Sequence, residues 1–207
     1  MSQIGTLSEE EITRRIRMQS RPPLNAALDG PALESQQVEV PVRLRPSAVL
    51  VPLVWMEDGW HLLFTRRTEW LQSHKGQVSF PGGGAEPEDR SPEATALREA
   101  QEEIGLKPED VHVLGRLISR PTVTHFIITP IVGRIRWPNE FVLSPQEVSR
   151  VFTIPLAWLA NPANREERPR TLPNGYYEKV IFYQSYNGEV LWGASARITL
   201  DLLRILE

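Results

Sequence analysis

One stretch limits the possible folds more than any other. Phe80-Pro81-Gly82-Gly83-Gly84 leads through a short acidic loop into Arg98-Glu99-Ala100-Gln101-Glu102-Glu103-Ile104-Gly105-Leu106. Ser91-Pro92-Glu93 reads as a helix start: a serine cap, proline at the first helical position and an acid in the first turn. Gly105 is a C-terminal stop, with Pro108 just beyond it. At about 100° per residue, the spacing predicts an apolar side of Ala94, Ala96, Leu97, Ala100 and Ile104. Glu99, Glu102 and Glu103 fall together on the opposite, exposed side. Carboxylates gathered on one face repel one another unless a cation sits among them, and hard divalent ions prefer oxygen ligands of this kind. Arg98 reaches Glu102 at i,i+4 and would hold one carboxylate in place. An isolated acidic pair is ordinarily just solvated surface; the glycine-rich turn and the i, i+3, i+4 spacing argue for more here.

These residues resemble the Nudix signature: Gly, five residues, Glu, seven residues, Arg-Glu, an aliphatic, one residue, Glu-Glu, one residue, Gly, an aliphatic. Arg98, Glu99, Glu102, Glu103, Gly105 and Leu106 stand in register, with Ala100 at the first aliphatic position. The departure lies upstream. Counting back from Arg98 places Gly84 at the first glycine and Arg90 where an acid is expected. Counting forward from Gly83 places Asp89 there with one residue too many, so a one-residue insertion, with Asp89 or Glu88 as the acid, fits best. The segment before the box is similar to that of family members acting on coenzyme A, through Leu63, Thr65, Arg67, Gly76, Phe80, Pro81, Gly82 and Gly83. Phe64, Thr68 and Gln72 differ from that pattern, and Gln72 replaces an arginine able to meet a phosphate. Trp192-Gly193-Ala194-Ser195-Ala196 is also similar to the end segment of that group.

The resemblance implies a Nudix α/β/α sandwich, a mixed sheet between helices with the box as a loop–helix–loop. It implies Mg²⁺ or Mn²⁺ held by Glu99, Glu102 and Glu103, with Glu99 and Glu102 also catalytic and Arg98 supporting them. Glu147, just before the strand-like run Val151–Leu156, becomes a remote base or a further ligand. Arg66, Arg67, Lys75, Phe80, Gly82 and Gly83 are the candidate substrate-binding residues, and Arg66–Ser79 the candidate phosphate-reading loop. The implied reaction is hydrolysis of coenzyme A to 4′-phosphopantetheine and adenosine 3′,5′-bisphosphate. ADP-ribose or another dinucleotide is the alternative substrate, and a non-catalytic binding module the third reading.

With 207 residues, the chain has room for one large domain or one domain with appendages: an N-terminal helix and extended arm over 1–46 and the main domain over 47–207. A net charge of −3 offers no basic surface for long nucleic acids, leaving a small anionic molecule as partner. The absence of cysteine excludes disulfides, zinc–thiolate sites and cysteine nucleophiles. No run is long enough to span a membrane and the N-terminus lacks a signal-peptide core, so a cytoplasmic location is expected. The oligomeric state stays open, a homodimer included.

Elsewhere, Ser8 and Glu11 form a capping-box pattern for a helix over 7–18, with Ile12 and Ile16 on its inner side. Ser47–Trp55 reads as a strand that Pro52 assigns to an edge or a bulge, and Asp58-Gly59 turns it into Trp60–Arg66. Val111–Ser119 and Ile127–Trp137 are further strands, and His61 and His125 read as structural and solvent-exposed respectively. Pro162–Tyr177 reads as a mobile insertion, Asn187-Gly188 as a hairpin turn, and the C-terminal run as a core helix.

Overall fold

A computed structural model describes residues 3–19, 44–70, 75–171 and 177–207. Gln72 and His74, and most of the 20–46 arm, lie outside the described residues. After a short 3₁₀ turn the chain forms α1 (Glu9–Gln19), β1 (Arg45–Met56), β2 (Gly59–Arg67), β3 (Val78–Ser79), β4 (Gly82–Gly84) and α2 (Pro92–Ile104). It continues through β5 (Val111–Arg116), β6 (Arg120–Pro121), β7 (Phe126–Ile135), β8 (Val148–Pro155) and α3 (Leu156–Ala160). A hairpin of β9 (Arg165–Thr171) and β10 (Tyr177–Tyr183) precedes α4 (Gly193–Leu206).

The mixed sheet has the order β3-β2-β1-β7-β5, with β4 paired to β1, β6 to β7 and β8 to β2. Alternation along its central strands sorts side chains into two buried layers. Val51 and Leu53 of β1 and Leu62 and Phe64 of β2 face a core shared with α1, α3 and α4. Ala48, Leu50 and Val54 of β1 and Leu63 of β2 face Ala96, Ala100 and Ile104 of α2. Strands covered on both faces need near-continuous apolar runs, which is what β1 and β2 supply. The result is the α/β/α sandwich expected.

Pro52 does not mark an edge, because β1 lies inside the sheet with β7 parallel on one side. On its other side β1 pairs with β4 through Val49 and with β2 from Leu53. Leu50 donates to Pro81 O on that side. The Pro52 nitrogen, two residues on, faces the changeover between the two partners, where no ladder donor is needed. Arg45 and Pro46, read as linker, belong to β1.

The segment after Pro162 contains a strand rather than an irregular insertion: β9 pairs with β10 from Arg165–Tyr183 to Thr171–Tyr177. Its charged sequence lacks apolar alternation because nearly all of it is exposed. α1 forms with Glu11 N–H donating to Ser8 Oγ at 3.2 Å, and Ile12 and Ile16 are fully buried. His61 is held structurally between Thr153 and Asp58.

Candidate active site

The site is built where β4 passes under α2. Ser91 caps the helix by accepting from Ala94 N–H, Pro92 follows, and Gly105 closes the end in the left-handed conformation at φ 69°. β4 lies antiparallel to β1, with Gly82, Gly83 and Gly84 opposite Val49, Ala48 and Ser47. Two of these glycines are required by close approach. A Cβ on Gly82, at φ 154°, would lie 2.4 Å from Ala48 O, and one on Gly83 would lie 2.6 Å from the Glu99 carboxylate oxygens. Only a strand without side chains lets the acids of α2 come down onto its backbone.

Arg98 organises the acids. Its Nε and Nη2 donate to Asp89 at 3.2 and 3.0 Å, Nη2 also to Gly84 O at 2.9 Å, and Nη1 to Glu99 and Glu102 at 3.0 and 3.1 Å. One guanidinium fork thus ties the acidic loop, the glycine strand and two glutamates together. Its hydrogen bonds hold Asp89 well below the usual carboxylate range, at about 2. Asp89 is the acid that engages Arg98 most fully; Glu88 is exposed.

Glu103 differs from the exposed residue that helical spacing suggests. It is 3% exposed, accepts from Gly82 N–H at 3.3 Å and lies 3.6 Å from Arg67 Nη1, too far for a hydrogen bond. The buried side of α2 runs through Thr95 and Glu103, whereas Leu97 and Ala94 are only half-buried. The reason is that β4 fills the space beside that flank of the helix. Burial pushes the Glu103 carboxyl up to about 8, reinforced by the charges of Glu147 and Glu99 and opposed by Arg67 and Gly82 N–H. Burial likewise raises Glu99, against Arg98 and with help from Glu102 and Glu147. Glu102 remains exposed.

Glu147 reaches this neighbourhood through the turn before β8. Ser144 N–H donates to Glu103 O, and Thr68 fixes the turn from the other side, N–H to Glu147 O and Oγ1 to Gln146 O, all at 2.9 Å. Thr68, buried, therefore acts on Glu147 placement. Sequence reasoning missed that link, since no local pattern couples residue 68 to 147.

The remaining candidates separate. Arg67 points to the α2 face, and its Nε has no hydrogen-bond partner. Arg66, one residue earlier, points to the opposite face and pairs with Glu189 and Glu69 at 3.1 Å. With Lys75 it lines a different cleft, of about 850 Å³, beside Arg165 and Arg168. Phe80 is buried and stacked on Phe64 with centroids 4.7 Å apart, so its ring belongs to the core. His125 lies exposed in a loop, at φ 62°.

Among the described residues no three acids or histidines converge into a cage able to hold an ion by themselves. That suits a magnesium-type ion, which takes one or two carboxylates and fills its remaining positions with water and substrate phosphate. The donor set is all oxygen. Burial raises the Glu99 and Glu103 carboxyls, and the neighbouring acids add to the shift, so a cation among them would be favoured. A divalent cation fits this donor set.

Comparison with known proteins agrees with this geometry. Residues 44–174 match the family model of the NUDIX domain. The Nudix hydrolase NudL of Pectobacterium atrosepticum is 38% identical over 172 residues, covering 80% of this chain and 88% of that protein. NudL of Photorhabdus laumondii is 37% identical over 158 residues, covering 76% and 83%. The crystal structure of a MutT/nudix family protein from Enterococcus faecalis superposes with a TM-score of 0.51 at 15% identity, covering 95% of this chain and 73% of that one. The chain belongs to the NUDIX domain family and is a Nudix pyrophosphohydrolase.

Proposed function

We propose that this enzyme hydrolyses the pyrophosphate bond of coenzyme A or its derivatives, giving 4′-phosphopantetheine and adenosine 3′,5′-bisphosphate. The observation that carries the reading is the approach of Arg67 to Glu103. Through it, the upstream segment resembling the coenzyme A group becomes one wall of the carboxylate site. Two of the three departures in that segment also have a structural account. Phe64 packs on Phe80, and Thr68 holds the Glu147 turn. Gln72, outside the described residues, is the departure that favours the second reading, ADP-ribose or another nucleoside diphosphate derivative. The intact Glu99, Glu102 and Glu103 set argues against a binding module without catalysis.

Nudix hydrolases generally use divalent ions, and Glu99, Glu102 and Glu103 are the set from which Mg²⁺ or Mn²⁺ would draw its one or two carboxylates here. Such an ion, when bound, neutralises pyrophosphate oxygens and acidifies water. The chain's own groups do the rest. Arg98 restrains Glu99 and Glu102 before substrate arrives, so little reorganisation remains at the reaction step. Arg67 brings its guanidinium to 3.6 Å from Glu103, a position from which it can meet a phosphate oxygen. Glu147 or Glu99 takes the proton from the attacking water as the P–O–P bridge breaks.

The test is mass-spectrometric product analysis with Mg²⁺ and coenzyme A, acetyl-coenzyme A, ADP-ribose, NADH or diadenosine polyphosphates, with Glu103→Gln as control. Appearance of 4′-phosphopantetheine and adenosine 3′,5′-bisphosphate, absent in the control, is the expected result. Cleavage of ADP-ribose alone would keep the chemistry and discard the substrate.

A further inference from the structure

A cleft of about 620 Å³ lies between β6, the β9–β10 hairpin and the first turn of α4. Four cations line it, Arg120, Arg170, Lys179 and Arg197, and among the described residues no carboxylate does. Its other walls are apolar, among them Val123, Ile128, Ile181 and Ile198. A smaller recess, lined by Val49, Phe126 and the glycines Gly82, Gly83 and Gly84, shares Thr122 and Ile128 with it. The two hollows therefore share a wall, and the cationic cleft lies beside the recess at the glycine strand.

The cations are not equivalent. Arg120 is committed to Asp201, through a two-pronged ion pair. Arg197 Nη2 donates to Lys179 O at 3.3 Å, which sets these two side chains on adjoining positions. Lys179 contacts Glu167 at 3.2 Å, but both are exposed, at 77% and 45%. A pair this solvated is worth little and yields readily to a better anion.

We propose that this cleft receives the adenosine half of coenzyme A, and that Lys179 and Arg197 read its ribose 3′-phosphate. The proposal rests on the coenzyme A reading of the carboxylate site. Once the pyrophosphate is at Glu99 and Glu103, the two halves of the substrate must leave in different directions. The pantetheine half carries no charge beyond its own phosphate and gains nothing from a cation-lined wall. The adenosine half carries a second phosphate, bearing nearly two negative charges, on a largely apolar ribosyl–adenine body. Apolar walls with cations among them match that half. ADP-ribose has no such remote phosphate, so the same residues distinguish the two candidate substrates.

The experiment compares KM and kcat for coenzyme A, 3′-dephospho-coenzyme A and ADP-ribose, with Mg²⁺, in the parent enzyme and in K179A/R197A and E167Q. Lys179 is exposed and Arg197 half-buried, and a thermal melt checks that the double variant stays folded. Loss of two charged contacts predicts a rise in KM for coenzyme A of about tenfold or more. KM for the dephospho form should stay within about twofold, and kcat should change little on either substrate, because the contacts lie away from the reacting bond. E167Q, which frees Lys179 from its competing carboxylate, should lower KM for coenzyme A alone. A parent enzyme that treats coenzyme A and its dephospho form alike, or an equal KM rise on both, overturns the 3′-phosphate assignment and leaves the coenzyme A reading standing. Turnover of ADP-ribose with neither coenzyme form cleaved, or no cleavage at all, overturns both.

Discussion

Glu103 concentrates the conflict on which the site depends. A carboxylate 3% exposed, near two other acids, prefers its proton at neutral pH unless a cation arrives. Its folded-state pKa is raised, so the native chain holds a proton that the unfolded chain releases above the ordinary glutamate range. That contribution to stability is complete below about pH 4.5 and is lost as pH rises through about 8. Metal-free protein in a chelator should therefore show a falling melting temperature across this window. Glu103→Gln should flatten the fall and melt no lower than the parent near pH 8. The same variant should lose at least about a hundredfold in turnover, the upper end of the cost of disturbing even an outer partner of a metal site. Added Mg²⁺ should raise the melting temperature of the parent and not of the variant. Equal stabilisation of both by Mg²⁺ would remove Glu103 from the ligand set.

At the level of elements, the acidic loop, β4 and α2 work as one unit because Arg98 bonds to all three. Asp89 is depressed to about 2 by Arg98, so its stabilisation exists above the ordinary aspartate range and disappears as pH falls through about 2. In acid titrations followed by circular dichroism, Asp89→Asn should lower stability at neutral pH and remove part of the loss between about pH 4 and 2. Gly83→Ala tests the strand–helix approach. Its backbone is not in the left-handed region, but the new Cβ would meet the Glu99 carboxylate at 2.6 Å. The flexible carboxylate end is the part that gives way, so the melting temperature should hold while turnover drops about tenfold or more, judged by steady-state kinetics. Unchanged turnover would mean that Glu99 placement is not critical.

Across the whole molecule, α1 is part of the main core. Ile12 and Ile16 join the layer that holds α3 and α4, and Arg15 Nη1 donates to Leu206 O near the far end of the chain. Gly115 of β5 leaves room for this: a Cβ there would sit 2.7 Å from Ile16 Cγ2. Ile16→Ala should cost about 2–5 kcal/mol, or roughly 5–15 °C in melting temperature for a chain of this size. A shift of only a degree or two would mean that α1 docks loosely. No helix among the described residues is long and apolar enough to cross a membrane.

What the sequence determined by itself is local. The Ser91 cap, Pro92, the Gly105 stop, the Arg98–Glu102 spacing and the Asn187-Gly188 turn follow from backbone preferences and helical period, which act over a few residues. The tertiary structure decided whatever depends on what lies across the gap. It buried Glu103 by laying β4 against α2, sent Arg66 and Arg67 to opposite faces of the sheet, and withdrew Phe80 into the core. It also placed Pro52 inside the sheet, at a point where no donor is required, and made a strand of Arg165–Thr171 by giving it β10 as a partner. Periodicity records which way a side chain points relative to its neighbours in sequence; only the packed neighbour determines whether that direction is solvent, core or a carboxylate.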